Sequence, residues 1–179
     1  MSATQTPIPV GTWNLDPVHS TVGFEVDYLA GTFRGQFRDA EAHLAFADDG
    51  ARIEGSAEVA SVDVKDENLA AHLQSPDFFD AERFPKLTFV AEEIDLDGNT
   101  VTAPGEITIK GVTKPIEVTG TISDPITDAY GNERLGLKLL ARVDRTEFGV
   151  SWNTPLPTGN PALADDVTIV AELQLVKAA

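Results

Sequence analysis

The sequence predicts an all-β fold: an antiparallel barrel of about eight strands with one short helix inserted near residues 66–75. Three observations carry this prediction. Apolar and polar residues alternate with period two along most of the chain, turn-forming residues separate the runs, and a single stretch of helix formers breaks the alternation.

Residues 1–10 hold two prolines and no periodicity, and read as a loose lead-in to one domain over 11–177. Val22, Phe24, Val26 and Tyr28 then alternate with Thr21, Gly23, Glu25 and Asp27. Ala40, Ala42, Leu44 and Phe46 repeat the pattern, while Phe33 and Phe37 stand in the opposite phase, which predicts a bulge near Asp39. Ile53, Gly55, Ala57 and Val59 form one inward set, and Val62 and Val64 are out of phase with it. Leu87, Phe89 and Ala91 follow, then Val101, Ala103, Gly105, Ile107 and Ile109. Ile116, Val118, Gly120 and Ile122 face one way, as do Leu135, Leu137, Leu139, Ala141 and Val143. Val167, Ile169, Ala171, Leu173 and Leu175 close the series. Asp48-Asp49-Gly50, Asp97-Gly98-Asn99, Lys110-Gly111 and Tyr130-Gly131-Asn132 supply turn residues that tolerate positive φ.

The helical break is Lys65–Gln74, with Leu69 and Leu73 one turn apart, Asp66 placed to cap the start and Ser75-Pro76 to stop it. A second short helical turn is predicted at Arg145–Phe148.

A chain of 179 residues can bury a core without staples, and it has no cysteine, which removes disulfides, thiolate metal sites and cysteine nucleophiles. Its formal net charge of -16 repels phosphate backbones and anionic bilayers, so nucleic acid is a poor partner and the charge reads as solubility. The first thirteen residues carry no Lys or Arg and no long apolar run, so no signal peptide is expected and the chain as written reads as cytoplasmic. No stretch is long and apolar enough for stable membrane insertion. An edge strand could pair with a second copy to give a homodimer, although nothing in the sequence demands it.

Alternation of this kind fits either a sandwich or a closed barrel. The small inward residues Ala57, Ala91, Ala103, Ala141, Ala171 and Gly120 favour a barrel with an internal cavity. Those faces carry almost no charge, which suits a hydrocarbon chain.

No catalytic constellation emerges. His19 follows Asp16-Pro17 at a turn and reads as a cap, His43 alternates outward on its strand, and His72 sits on the helix in a packed position. No two histidines have metal-ligand spacing, and neither a nucleophile elbow nor a phosphate loop is present. Asp77 and Asp80 flank Phe78-Phe79 and could act as paired carboxylates, though such residues more often cap turns. The run Glu92–Gly98 lacks the ligand spacing of a calcium loop, so no metal is expected.

Four segments together resemble one family. They are Trp13–Ser20 with Phe24, His72–Asp80 followed by Phe84–Phe89, Ile107–Pro115 (ITIKGVTKP), and Arg145–Asn153. In this order, over roughly residues 12 to 176, they resemble the YceI-like, polyisoprenoid-binding proteins. The resemblance implies a lipocalin-like barrel without enzymatic activity and with no cofactor beyond a bound isoprenoid or isoprenoid quinone. It implies a hydrophobic small molecule as partner. Members commonly carry an Arg-Asp pair ahead of the helix histidine, where this chain has Leu69 and Ala70.

On this basis the expected cavity lining is Trp13, Phe24, Val26, Phe37, Phe79, Phe89, Ile107, Ile109, Val118, Leu137, Leu139, Phe148 and Trp152. Candidate polar contacts at the mouth are His19, Ser20, His72 and Arg145; Arg145 could equally lock the fold. Of Phe78 and Phe79, only one is expected inside if the segment is extended. The expected function is to bind and carry a long-chain isoprenoid or similar amphiphile. The alternatives are a structural or stress-response module without ligand, and an enzyme using His72 with Asp77.

Overall fold

The computed structural model describes residues 8–178. Most of the expected lead-in thus lies outside the described residues, but Pro9 lies within them, and its carbonyl accepts a hydrogen bond from Trp13 Nε1 at 3.2 Å.

The strands are β1 (Gly11–Leu15), β2 (Thr21–Tyr28), β3 (Gly31–Phe37), β4 (Ala40–Ala47), β5 (Gly50–Glu58), β6 (Val62–Asp63), β7 (Lys86–Ala91), β8 (Asp95–Asp97), β9 (Thr100–Ile109), β10 (Val112–Ile122), β11 (Ile126–Thr127), β12 (Glu133–Asp144) and β13 (Leu163–Lys177). Several are collinear pieces of one strand. Both β1 and β2 run antiparallel to β13, one after the other, and β4 and β3 flank them in the same way. The segments β5 and β6 are joined by a single 3-10 turn, and β7 and β8 both lie against β9. The pairings β12–β13 and β13–β1/β2 close the ring, giving an antiparallel meander of eight strand positions.

The phase change predicted near Asp39 falls at Arg38-Asp39, between β3 and β4. There the Asp39 N–H turns to Ser61 Oγ, and its carbonyl accepts from Glu58, so the strand switches face without losing its neighbour. The helix α1 (Glu67–Leu73) forms where expected. The Asp66 carboxylate accepts from the N–H groups of Asn68 and Leu69, and Leu73 is the face it buries. The short turn at Arg145–Phe148 is also present, capped by Asp144 and ended by Gly149 at φ 77. Among the described residues no helix is long and apolar enough to cross a membrane.

Two apolar clusters fill the barrel. One closes the end where β1 and the C-terminal half of β13 meet, around the fully buried Trp13, Leu44, Leu135 and Leu175. The other gathers beneath α1 and the Arg145–Phe148 turn, around Phe24, Phe37, Leu73, Phe78 and Phe148. The small residues divide between two jobs. Ala57, Ala141 and Ala171 leave open space. Ala91 and Ala103 are instead packed into the closed end. Gly120 leaves no space at all: a Cβ there would sit 1.7 Å from the Lys138 carbonyl oxygen, so its lack of a side chain serves the close approach of β12.

An ion network fastens the β1–β2 interruption to the β11–β12 hairpin. Arg134 reaches Asp16 at 2.8 Å and Asp128 at 2.7 Å, and His19 Nδ1 meets Asp16 at 2.7 Å. The Arg134 hydrogen bond, with the His19 hydrogen bond behind it, holds the Asp16 carboxyl far below the usual range. Arg134 and the Asn132 and Tyr130 amides lower Asp128 to about 2. Carboxyls depressed in the folded state stabilise it above their ordinary value of 3.8 and lose that contribution as pH falls through the folded values. We therefore expect Arg134→Met to be less stable than wild type at neutral pH, with the gap narrowing as pH falls from about 4 through 2, where Asp128 titrates, and closing only below that, because Asp16 is held lower still. Thermal melts across that range check this; a gap that is undiminished at pH 2 would show that the loss does not come from pairing with the two carboxylates.

Candidate functional site

Between the two clusters lies a cavity of about 400 Å³. Its wall includes β13 residues from Leu163 to Leu173. At the rise of a strand tilted as in small barrels, that span gives a depth of roughly 25 Å. The cavity is thus elongated along the barrel.

The wall is almost wholly apolar, and local packing shapes it. The Phe24 ring closes on Gly35, where a Cβ would stand 2.6 Å from Phe24 Cζ; at Gly105 a Cβ would stand 2.4 Å from the Val90 carbonyl oxygen and 2.9 Å from Phe89 Cε2. Gly35 thus makes room for a ring, and Gly105 for both the neighbouring backbone and a ring. Near α1, Phe24 packs with Phe33, Phe37 and Phe79 at centroid distances of 5.9 to 6.1 Å.

The mouth is aromatic with one polar pair. His72 meets Phe78 and Trp152 in edge-on contacts at 4.9 and 5.2 Å, and its Nε2 lies 3.1 Å from Asp77 Oδ2. His72 is half-buried and Asp77 exposed, so the pair sits at the boundary between lumen and solvent. Lys110, in the left-handed conformation at φ 51, donates from Nζ to the carbonyls of Pro76 at 2.5 Å and Gly149 at 3.1 Å. The ITIKGVTKP hairpin thereby ties the segment after α1 to the turn after Phe148. Among the described residues no group of three or more histidines and carboxylates is arranged to hold a metal.

Of the expected lining, Phe24, Val26, Phe37, Phe79, Phe89, Ile107, Ile109, Val118, Leu139, Phe148 and Trp152 stand in the cavity wall. Trp13 does not: it is wholly buried in the closed end, since its strand pairs with the last residues of β13, beyond the lumen. Leu137 does not line the cavity either: it faces the small void in the closed end, although its cross-strand partner Leu173 stands in the cavity wall. Both Phe78 and Phe79 face inward, because residues 75–83 are turns rather than extended chain and the period-two rule does not apply there.

The polar candidates separate. His72 is at the mouth. His19 and Ser20 are not; His19 belongs to the Asp16–Arg134 network, and Ser20 Oγ exchanges hydrogen bonds with the Gln174 backbone, pinning the strand interruption to β13. Arg145 touches the cavity wall but is only 5% exposed. Its Nε donates to Ala164 O at 2.8 Å, Nη1 to Val150 O and Trp152 O at 2.7 and 2.9 Å, and Nη2 to Leu163 O at 3.3 Å. Asp165 lies 3.5 Å from Nη2. Burial pulls the guanidinium pKa down, opposed by Asp165 and Asp144. With four backbone carbonyls taking its donors, Arg145 is a clamp on the chain between Val150 and Ala164.

Sequence reasoning left out Leu69, Leu73, Ile116, Leu163, Val167 and Ile169, all in the cavity wall. The signal was present for the strand residues, which stand in phase with members already singled out.

The comparisons with known proteins agree with this geometry. The family model for the YceI-like domain matches residues 13–175. A UPF0312 protein of Staphylococcus epidermidis is 29% identical over 170 residues, covering 90% of this chain and 95% of its own. The Campylobacter jejuni YCEI protein superposes with a TM-score of 0.71 at 26% identity, covering 92% of this chain and 97% of that one. A polyisoprenoid binding domain from Saccharophagus degradans superposes at 0.73 with 10% identity, over 95% of this chain and 100% of that one, a likeness of fold alone. An apolar barrel with this topology, matched by the family model from Trp13 to Leu175, places the chain in the YceI-like domain family.

Proposed function

We propose that this protein binds and carries a long-chain isoprenoid or similar amphiphilic lipid, its tail in the barrel and its polar end at the His72–Asp77 rim. The observation that carries the reading is the cavity of about 400 Å³ with an apolar wall, within the range of about 300–1,000 Å³ typical of ligand pockets. Each methylene moved from water into such a space contributes about 0.8 kcal/mol, so a chain is held without ion pairs. The Saccharophagus domain of the same fold is a polyisoprenoid binding one; the argument for this chain rests on its own cavity.

Native mass spectrometry of protein as purified, followed by organic extraction, tests the reading. We expect a one-to-one adduct of isoprenoid or other long-chain mass. We also expect delipidated protein to melt at lower temperature, since ligand at a hundredfold its Kd stabilises by about 2.7 kcal/mol. A clean mass that stays clean after incubation with isoprenoid alcohols would leave a structural module without ligand. The 3.1 Å His72–Asp77 contact motivates a second reading, acid–base chemistry on a bound substrate. Recovery of the incubated lipid chemically unchanged sinks it.

A further inference from the structure

Beneath the main cavity lies a second, apolar void of about 10 Å³, lined by residues that include Leu44, Val101, Ile122 and Leu137. It is at the lower limit for a single water, which needs about 10–15 Å³ and polar partners, so it is a packing gap in the closed end. Two residues line both spaces: Ile53 and Leu139. Their strands, β5 and β12, are four positions apart whichever way the ring is counted, so the two side chains enter from opposite walls. Their cross-strand neighbours are mostly small. Leu139 lies between Gly120 and Ala171, and Ile53 has Ala91 on one side and Leu44 on the other.

We propose that Ile53 and Leu139 form a septum across the barrel that sets the longest tail the cavity accepts, making them specificity-determining residues. The inference rests on the carrier reading and adds a length limit to it. Below the septum the fully buried Trp13, Leu135 and Leu175 leave no exit, so a longer chain must keep its excess at the mouth or in water. Leu139 is flanked by Gly120 and Ala171, which cannot cover a truncated side chain; Ile53 has Ala91 on one side and only Leu44 on the other. Shortening either one joins the lower void to the lumen.

The test is the affinity of delipidated protein for straight-chain primary alcohols from octanol to eicosanol. In wild type, Kd falls about fourfold per methylene up to a limiting length and then levels off. Ile53→Ala and Leu139→Ala move that plateau to longer alcohols. Leu44→Ala enlarges the lower void without opening the septum and leaves the plateau where it is. If an alanine variant fails to fold, Ile53→Val gives a smaller shift in the same direction and Leu139→Phe shifts the plateau to shorter chains. A plateau that stays fixed in Ile53→Ala and Leu139→Ala, or in Ile53→Val where those do not fold, overturns the septum. So does a plateau that moves as far in Leu44→Ala. Wild-type protein that binds none of the alcohols overturns the carrier reading instead, so the two failures are distinct.

Discussion

Replacing Arg145 with methionine is expected to cost about 3–5 kcal/mol of folding stability. The guanidinium satisfies four backbone carbonyls, those of Val150 and Trp152 just after the Arg145–Phe148 turn and those of Leu163 and Ala164 at the start of β13, and so ties the two ends of the intervening loop together. A buried acceptor stripped of its donor costs about 1–3 kcal/mol, and Val150 and Leu163 are buried. Removing a desolvated cation returns part of that sum, and the more exposed carbonyls can turn to water, which brings the net figure below four full penalties. Against a domain stability of about 5–15 kcal/mol the loss is large. Lysine is a poor replacement, because one ammonium cannot match the planar fork that reaches carbonyls on both sides of the loop. Urea unfolding with an unchanged slope and a lowered midpoint checks this. A loss below about 1 kcal/mol would mean that the carbonyls find water readily and that the clamp is unimportant.

Ala171→Phe should do the reverse, removing ligand while sparing the fold. Ala171 lines the cavity wall on β13, beside Leu139 and Val22. A phenyl group there occupies space that about four methylenes of a tail would fill; at about 0.8 kcal/mol each, the expected loss in affinity is on the order of a hundredfold. The ring enters a lumen of about 400 Å³, so the empty protein should be as stable as wild type or more so. Native mass spectrometry beside a thermal melt reads both effects. A variant that folds and still carries its adduct at wild-type stoichiometry would place the ligand elsewhere. Together the two substitutions separate roles that the sequence alone leaves merged: Arg145 carries the frame, and Ala171 leaves the room.

Much of the barrel was legible because its signals are local. Period-two alternation in β9, β10, β12 and β13 assigned the inward faces correctly, and the Asp66 cap and Ser75-Pro76 stop bounded α1. Even the phase slip at Asp39 was visible, since alternation cannot cross a bulge unchanged. The errors came where depth along the barrel matters. Trp13 and Leu137 face inward yet pack in the closed end and do not line the cavity, because periodicity gives the face of a residue and not its height. For Phe78 and Phe79 the expectation that only one lies inside was tied to extended chain; residues 75–83 are turns, where that rule does not apply, and both line the cavity.

By itself the sequence determined the strand count, the inward faces, the helix and the apolar character of the interior, all consequences of residue type and spacing along the chain. Tertiary structure alone decided which inward residues surround empty space and which fill the closed end, and that His72 and not His19 stands at the mouth. It also decided that Arg145 spends its donors on backbone carbonyls. These outcomes depend on strand stagger and ring closure, which bring Ile53 opposite Leu139 and Trp13 beside Lys177 across distances in sequence that no local pattern spans.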